Sequence, residues 1–404
     1  MKHKLFLIIL AMSLLAGCGA PVTEVAQPPV PSATRAPAAT ELPAEPTAEP
    51  TLAPTAVPQP QWVGFIGNDG NLRLVDRLSG ELRQLTSDAA STAEAAADQI
   101  SVSYHDLQAS SDGQLLAYRR EIGQPVQAGY SFTYEVWVYE LASGEQRQLM
   151  ENLSMAGMAW RPGTHWLSFA IPPDEGYFAS RGQVDSSKAR GIWAVSADTG
   201  ENMELVRPEN GYSLRNPRWS PDGMLLAYEE IWTYEGSGYF AYSNFAMLDK
   251  PAYVSWGEAV GIFDWSPDGK TIAYDALTYV TNGTERIYLR PLAGGQTRQL
   301  SPDYAPGSAF WPRFSPSGQQ VAYQVNLSGT PDSQMFALVV QPVDGGEPRQ
   351  LGLFDSWVYP SWLPDESGLV LSTGPFETRQ VFELSLADGS LRLLADGNFP
   401  VIIP

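Results

Sequence analysis

From Gln61 onward the chain is a succession of short apolar runs with a period of two, each closed by Gly, Asp, Ser or Pro. Period-two alternation is the pattern of half-buried strands, and the closing residues supply the backbone freedom and local hydrogen bonds that tight turns need. One unit recurs. Trp219-Ser220-Pro221-Asp222-Gly223 precedes Leu226-Ala227-Tyr228, Trp265-Ser266-Pro267-Asp268-Gly269 precedes Ile272-Ala273-Tyr274, and Phe314-Ser315-Pro316-Ser317-Gly318 precedes Val321-Ala322-Tyr323. Ser110-Ser111-Asp112-Gly113 ahead of Leu116-Ala117-Tyr118 is a further copy, and weaker ones begin at Trp160 and Trp362. After each comes an alternating strand, a Gly turn and a strand closing near Arg-Gln-Leu, as in residues 136–149, 287–300 and 336–351. The repeated Asp112, Asp222, Asp268 and Asp365 are read as turn-capping residues, since every copy places them in the same tight turn.

The aromatic after the small residue marks each copy at Phe65, Tyr118, Phe169, Tyr228, Tyr274 and Tyr323, with Leu371 in the last; the intervals are 53, 51, 59, 46, 49 and 48 residues. A period near 50 with four strands per unit predicts an all-β fold, a β-propeller. The Trp-Ser-Pro-Asp-Gly units resemble the TolB-like propeller repeat, also met in prolyl-oligopeptidase-like propellers, and the resemblance covers residues 61–404. It implies fold and not activity, because propellers serve many chemistries. The first copy lacks its inner strand, whereas Phe399-Pro400-Val401-Ile402-Ile403-Pro404 aligns with Tyr359-Pro360-Ser361-Trp362-Leu363-Pro364. The expectation is seven blades, with the C-terminal strand completing the N-terminal blade; six blades with a separate N-terminal hairpin is the alternative.

In a four-stranded antiparallel blade the first and third turns share one face of the disc, so the second loops and the inter-blade links share the other. The Ser-Pro-Asp-Gly face is expected to be smooth. Insertions at residues 119–134, 171–190 and 229–244 are expected to form loops on the opposite face, where binding residues concentrate. They carry Tyr130, Tyr134, Tyr177, Trp232, Tyr234, Tyr239 and Tyr242, either an aromatic binding surface or packing for long loops. Arg215, Arg218, Asp264 and Arg313 lie just before or near Trp219, Trp265 and Phe314 and are expected at the channel mouth. There the three arginines would hold a carboxylate, or serve as structural ties, paired with Asp between neighbouring blades or stacked on Trp219, Trp265 or Trp311. His105 and His165 stand isolated and are read as structural.

Charge and composition narrow the partners. The chain carries 45 Asp+Glu against 25 Lys+Arg, a net −20, without a basic block; a nucleic-acid partner, which needs clustered Lys and Arg, is not expected. The single Cys excludes an internal disulfide and any Cys-based zinc cluster. It is Cys18, behind Lys2-His3-Lys4, an apolar run over residues 5–14 and Leu15-Ala16-Gly17, an arrangement that resembles a bacterial lipobox. That predicts a signal peptide over 1–17, acylation of Cys18 and export to a lipid-anchored position facing the periplasm or the cell exterior. Residues 18–60 hold eleven Pro and six Thr and read as a disordered linker.

No Gly-x-Ser-x-Gly elbow, phosphate loop, dinucleotide fingerprint or metal-ligand cluster occurs in the sequence, and no cofactor is implied. The expected function is a membrane-tethered, non-catalytic propeller that binds an envelope protein, a peptide or a glycan. The alternatives are a glycan-active hydrolase, which requires two facing carboxylates, and a purely structural component of the cell envelope.

Overall fold

In the computed structural model the described residues are 62–404, apart from 91–98, 128, 153–154, 172–190, 209–211, 234–238, 248–249, 256–261, 278–283, 305–306 and 328–334. Cys18, the signal sequence, the linker, Tyr177 and Tyr234 lie outside them. Contacts divide the chain at Thr55, and the described residues of the unit that follows are all-β apart from one short 3-10 turn at Phe376–Thr378.

Every sheet is antiparallel, and except where β27 meets β1 neighbours in the sheet follow one another in the sequence, as tight turns require. Strands β4 (Ser101–Ala109), β5 (Leu115–Val126), β6 (Gly129–Glu140) and β7 (Gln146–Asn152) form one four-stranded sheet. The next comprises β8 (Met158–Trp160), β9 (Trp166–Ile171), β10 (Gly191–Ser196) and β11 (Asn202–Val206). It is followed by β12 (Tyr212–Trp219), β13 (Leu225–Thr233), β14 (Tyr239–Met247) and β15 (Lys250–Ser255). After that come β16 (Phe263–Trp265), β17 (Thr271–Leu277), β18 (Glu285–Pro291) and β19 (Arg298–Gln299). The last four-stranded sheet is β20 (Ser308–Phe314), β21 (Gln320–Asn326), β22 (Phe336–Pro342) and β23 (Arg349–Phe354).

The remaining sheet has seven strands and joins the two ends of the folded unit. Its order is β24 (Ser361–Trp362), β25 (Gly368–Thr373), β26 (Gln380–Ser385), β27 (Leu391–Ile402), β1 (Trp62–Gly67), β2 (Leu72–Asp76) and β3 (Leu82–Gln84). The first half of β27 pairs with β26, Leu391 opposite Leu384 and Asp396 opposite Gln380. Its second half pairs with β1, Gly397 opposite Gly67 and Ile402 opposite Val63. The switch falls at Gly397, where a Cβ would stand 2.5 Å from the Ile66 carbonyl oxygen; the close approach of the two strands requires glycine.

Clusters of buried side chains join neighbouring sheets. Leu115 and Val138 pack with Met158, Trp160 and Phe169; Ile192 with Trp219 and Tyr228; Val321 and Tyr323 with Ile287 and Leu289. Val63 and Val75 pack with Leu363 and Val370, while Leu72 and Leu74 pack with Tyr104 and Tyr118. All the marker side chains are buried, which makes them core and not site. The residue after the marker ties its strand to the inner strand, or the link ahead of it, of the neighbouring four-stranded set. Asp275 accepts the Trp311 N–H at 2.9 Å, Gln324 accepts the Val358 N–H at 2.8 Å, Arg119 donates to the Met155 carbonyl at 3.2 Å, and the Ser372 hydroxyl meets Asn398 at 2.8 Å.

The turn aspartates cap their own turns. Asp112, Asp222 and Asp268 each accept a Ser hydroxyl and the backbone N–H two residues on. Asp112 has a second role: with Asp198 it brackets His165, whose two ring nitrogens lie 2.9 and 2.8 Å from the carboxylates. Two insertions expected as loops are strands instead. β5 and β6 stay in register from Leu115–Glu140 to Val126–Gly129, and β13 and β14 from Leu225–Met247 to Thr233–Tyr239. Extending the ladder satisfies backbone groups that a loop would leave to water.

The closing strand allows a direct test. Ile403 is buried and its N–H donates to the Trp62 carbonyl at 3.1 Å, whereas Phe399 is 42% exposed. Removing residues 399–404 deletes one large buried side chain, worth about 1.5–3 kcal/mol, and the ladder bonds beyond Asn398. The melting temperature should fall by about 2–4 °C from the side chain alone, and further from the lost ladder; a fall of a degree or less in calorimetry would show that the end pairing carries no stability.

Candidate functional site: the central channel

The innermost strands share one irregularity. In β4 the pairing slips between His105 and Gln108, in β12 between Arg215 and Arg218, and in β20 between Phe310 and Arg313. In β27 it slips opposite the stretch from Gly64 to Ile66. The first extra residue takes a left-handed conformation: Asp106 at φ 54°, Asn216 at 49°, Trp311 at 53° and Phe399 at 51°. Gly157, just ahead of β8, does the same at φ 91°. Such a conformation costs about 1–3 kcal/mol in a bulky residue. Proline follows at 217, 312 and 400 and brings no N–H that the broken ladder would leave unpaired. A bulge re-aims a side chain; here it delivers the extra residue to the channel.

Two cavities result. One, of about 530 Å³, lies toward the Ser-Pro-Asp-Gly turns and is lined by Asp106, Gln108, Asn216, Arg218, Asp264 and Arg313, among others. The second, of about 380 Å³, takes the earlier part of the inner strands, including His105, Ile262, Trp311, Tyr359 and Phe399. Asp106 and Arg313 line both. One wall of the second cavity is aromatic: Trp311 stacks on Tyr359 with ring centres 4.8 Å apart, and Tyr359 meets Phe399 at 5.1 Å. Trp357 backs Trp311 at 5.0 Å and Phe336 at 4.5 Å, and the Arg379 guanidinium sits 5.3 Å from the Tyr359 ring centre. Packing from behind holds the wall in one arrangement.

The opposite side is charged. Arg218 donates to the Phe263 carbonyl and Arg313 to the Pro312 carbonyl, each at 3.0 Å. Burial, with the neighbouring Arg313 charge, brings the Arg218 guanidinium down to about 10, so it remains charged at neutral pH. Asp264 accepts the Phe314 N–H at 2.8 Å, and Asp106 pairs with Arg119 at 3.2 Å. Behind the wall, burial pushes the Asp275 carboxyl up to about 7, against the pull of the Trp311 and Ile262 N–H groups. Burial and the Arg119 charge lower His105, whose Nε2 lies 2.9 Å from the Ser103 hydroxyl.

Of the residues singled out in the sequence, Arg218, Asp264 and Arg313 come together in one cavity. Arg215 is not among the residues lining either cavity; its backbone pairs with Glu229. Trp232, Tyr239 and Tyr242 fall on the β13–β14 hairpin, opposite Tyr212, Thr233 and Glu230, and their side chains lie outside the described ones. Tyr130 stacks on Phe132 at 6.2 Å, and Tyr134 packs on the core between the β4 and β8 sheets, under Arg119. Tyr134 is therefore a packing residue. Asp106, Tyr359 and Phe399 were not singled out as channel residues, and Trp311 only as a stacking partner for arginine. Their signal was available: the position three before Trp219, Phe314 and Trp362, immediately ahead of Pro in Asn216-Pro217, Trp311-Pro312 and Tyr359-Pro360. Among the described residues no three His, Cys, Asp or Glu side chains are grouped to hold a metal ion.

Antiparallel sheets packed face to face around a lined channel define a β-propeller. The chain belongs to the TolB beta propeller domain family, PD40, whose family model matches residues 174–400. It is 28% identical over 143 residues to dipeptidyl-peptidase 5 of Porphyromonas gingivalis, a match covering 34% of this chain; the chain spans about a fifth of that relative, 21% of its length. Among solved structures it resembles an oligogalacturonate lyase in complex with manganese, with a TM-score of 0.57, 14% identity, and 84% and 85% of the two chains covered. The β-propeller domain of the Trilobed protease from Pyrococcus furiosus gives a TM-score of 0.53 at 13% identity over 82% and 91%. Both likenesses concern the fold.

The Asp275 carboxyl gives the channel a pH signature. Its value in the folded protein lies above the ordinary 3.8 of an unfolded chain. The folded state therefore holds its proton more tightly, and the contribution to stability is complete below about pH 4 and lost as pH rises through about 7. In Asp275→Asn this dependence should vanish, so the difference in melting temperature between wild type and variant should narrow from pH 5 to pH 8. A constant difference across that range would refute the assignment.

Proposed function

We propose that the chain is a lipid-anchored, extracytoplasmic propeller of seven blades that binds a ligand at its channel without transforming it. The blade count rests on β27, whose two halves each complete a four-stranded set. The anchor rests on the Leu15-Ala16-Gly17-Cys18 sequence. The binding role rests on one observation above all: three aromatic rings from separate inner strands form one wall of a cavity and are braced from behind by Trp357. Such a wall offers contact area to a glycan ring, a peptide side chain or a partner's loop. The long β5–β6 and β13–β14 hairpins extend the receiving surface, with Trp232, Tyr239 and Tyr242 on the second. A glycan hydrolase would draw on Asp106 and Asp264, which share the larger cavity. Both are already engaged, by Arg119 and by the Phe314 N–H, and this favours the binding role.

With the full chain in detergent micelles, a glycan and peptide array should yield a ligand. Tyr359→Ala should then weaken binding by about 1–2 kcal/mol, a five- to thirtyfold loss, whereas Asp268→Ala in the turns should leave affinity unchanged. Loss with Asp268→Ala and retention with Tyr359→Ala would place the site on the other side of the disc. The anchor has its own test: a metabolic fatty-acid label should mark the wild type and not Cys18→Ala, and equal labelling of both would exclude acylation there.

A further inference from the structure

The larger cavity holds two positive side chains in a protein that carries a net charge of −20. Arg218 comes from β12 and Arg313 from β20, with Asp264 of β16 between them in the order of the sheets. A guanidinium has five N–H donors in a planar fork. Each of these two spends a described hydrogen bond on a backbone carbonyl, and among the described residues neither has a carboxylate within 4.0 Å. The lining carboxylates are engaged elsewhere: Asp264 holds the Phe314 N–H, and Asp106 holds Arg119. Two like charges are thus kept in one partly enclosed space, near enough for Arg313 to lower the proton affinity of Arg218. Asp264, Glu229 and Asp275 offset part of that repulsion from a distance, and an anion between the two guanidinium groups would add two charge-assisted contacts.

The sum of charges sets the kind of anion. Among the side chains that line the cavity, Arg218 and Arg313 against Asp264 leave one positive charge, since Asp106 is balanced by Arg119, and Glu229 and Asp275 outside the lining add negative charge near Arg218. One unit matches a monoanion and disfavours a doubly charged phosphate. The shape adds the rest. Arg313 lines both cavities, so a group held by it faces the space beside Trp311 and Tyr359. We propose that Arg218 and Arg313 form an acid-binding subsite, and that the ligand is a monocarboxylate whose ring or apolar body lies against the Trp311–Tyr359–Phe399 wall. The proposal rests on the channel being the binding site and names the class of molecule that fills it.

Benzoate and benzamide separate charge from shape, since they share a ring and differ in the carboxylate. By calorimetry on the full chain in micelles, benzoate should bind saturably, at least tenfold more tightly than benzamide, and more weakly as salt is added. Inorganic phosphate should not compete with it. Arg218→Met and Arg313→Met should each reduce benzoate affinity at least tenfold without changing benzamide. Arg218→Lys, which keeps charge and bulk if the Met variant fails to fold, should show a smaller loss because it lacks the fork. Equal binding of benzoate and benzamide with both lost in Tyr359→Ala would overturn the subsite and leave the aromatic site standing. Benzoate binding that Tyr359→Ala does not change would overturn the wall and leave the arginine pair. Phosphate binding as tight as benzoate would overturn the monoanion assignment, and no binding of benzoate at all would overturn the whole.

Discussion

One strand shared by two sets of partners holds the folded unit together. β27 is the outermost strand beside β26 and then, past Gly397, the innermost strand beside β1. A propeller sheet leaves its neighbours exposed wherever the ring is open, and open edges present unpaired backbone groups. Pairing the last strand with the first converts residues more than 300 apart in the chain into sheet neighbours; Asn68 and Arg379, joined side chain to carbonyl at 3.1 Å, are separated by 311 positions. The buried clusters on either side, around Val63 and Leu363 and around Leu72 and Tyr104, depend on that pairing for their register.

The channel is built by a second constraint, the repeated slip of the inner strands. A regular strand would direct alternate side chains between sheets and leave the channel to whatever remained. The bulge breaks the alternation at one level of the disc and sends Asp106, Asn216, Trp311 and Phe399 inward. The cross-sheet ties are arranged to support it. The Trp311 N–H is held by Asp275, and Phe399, the bulged residue of β27, is capped at its own N–H by Asn398, which also takes the Ser372 hydroxyl. Strain at the lining is thus offset by hydrogen bonds to Asp275 on the neighbouring sheet and to Asn398 on the bulged strand itself.

How much of this the sequence disclosed follows from the range of the interactions. The repeat, the turns and the strands were legible because they are local: Ser220, Asp222 and the Met224 N–H satisfy one another within five residues. The pairing of the C-terminal strand was legible because Phe399–Pro404 copies the residue types of Tyr359–Pro364. The long hairpins were taken for loops because Arg119–Tyr134 mixes Gly, Pro and Gln with aromatics, and only the ladder between β5 and β6 decides its state. The aromatic wall was legible only as a recurring position ahead of Pro, and not as a meeting of rings. Trp311, Tyr359 and Phe399 stand 48 and 40 residues apart, and their meeting depends on the angle between sheets and on a bulge that no local propensity favours.

The position of β1 also sets how the folded unit resists load. Trp62 opens it, and β1 has a ladder on both sides, to β2 and to β27. A pull on the chain at Trp62 cannot peel an edge strand one bond at a time. It must draw a middle strand out of two ladders together, so the force is shared across both and the extraction has a single high threshold. An edge strand such as β3, with a partner on one side only, would unzip under far less tension. Closing the ring with the last strand therefore does more than cover an open edge: it makes the first strand the mechanical anchor point of the propeller.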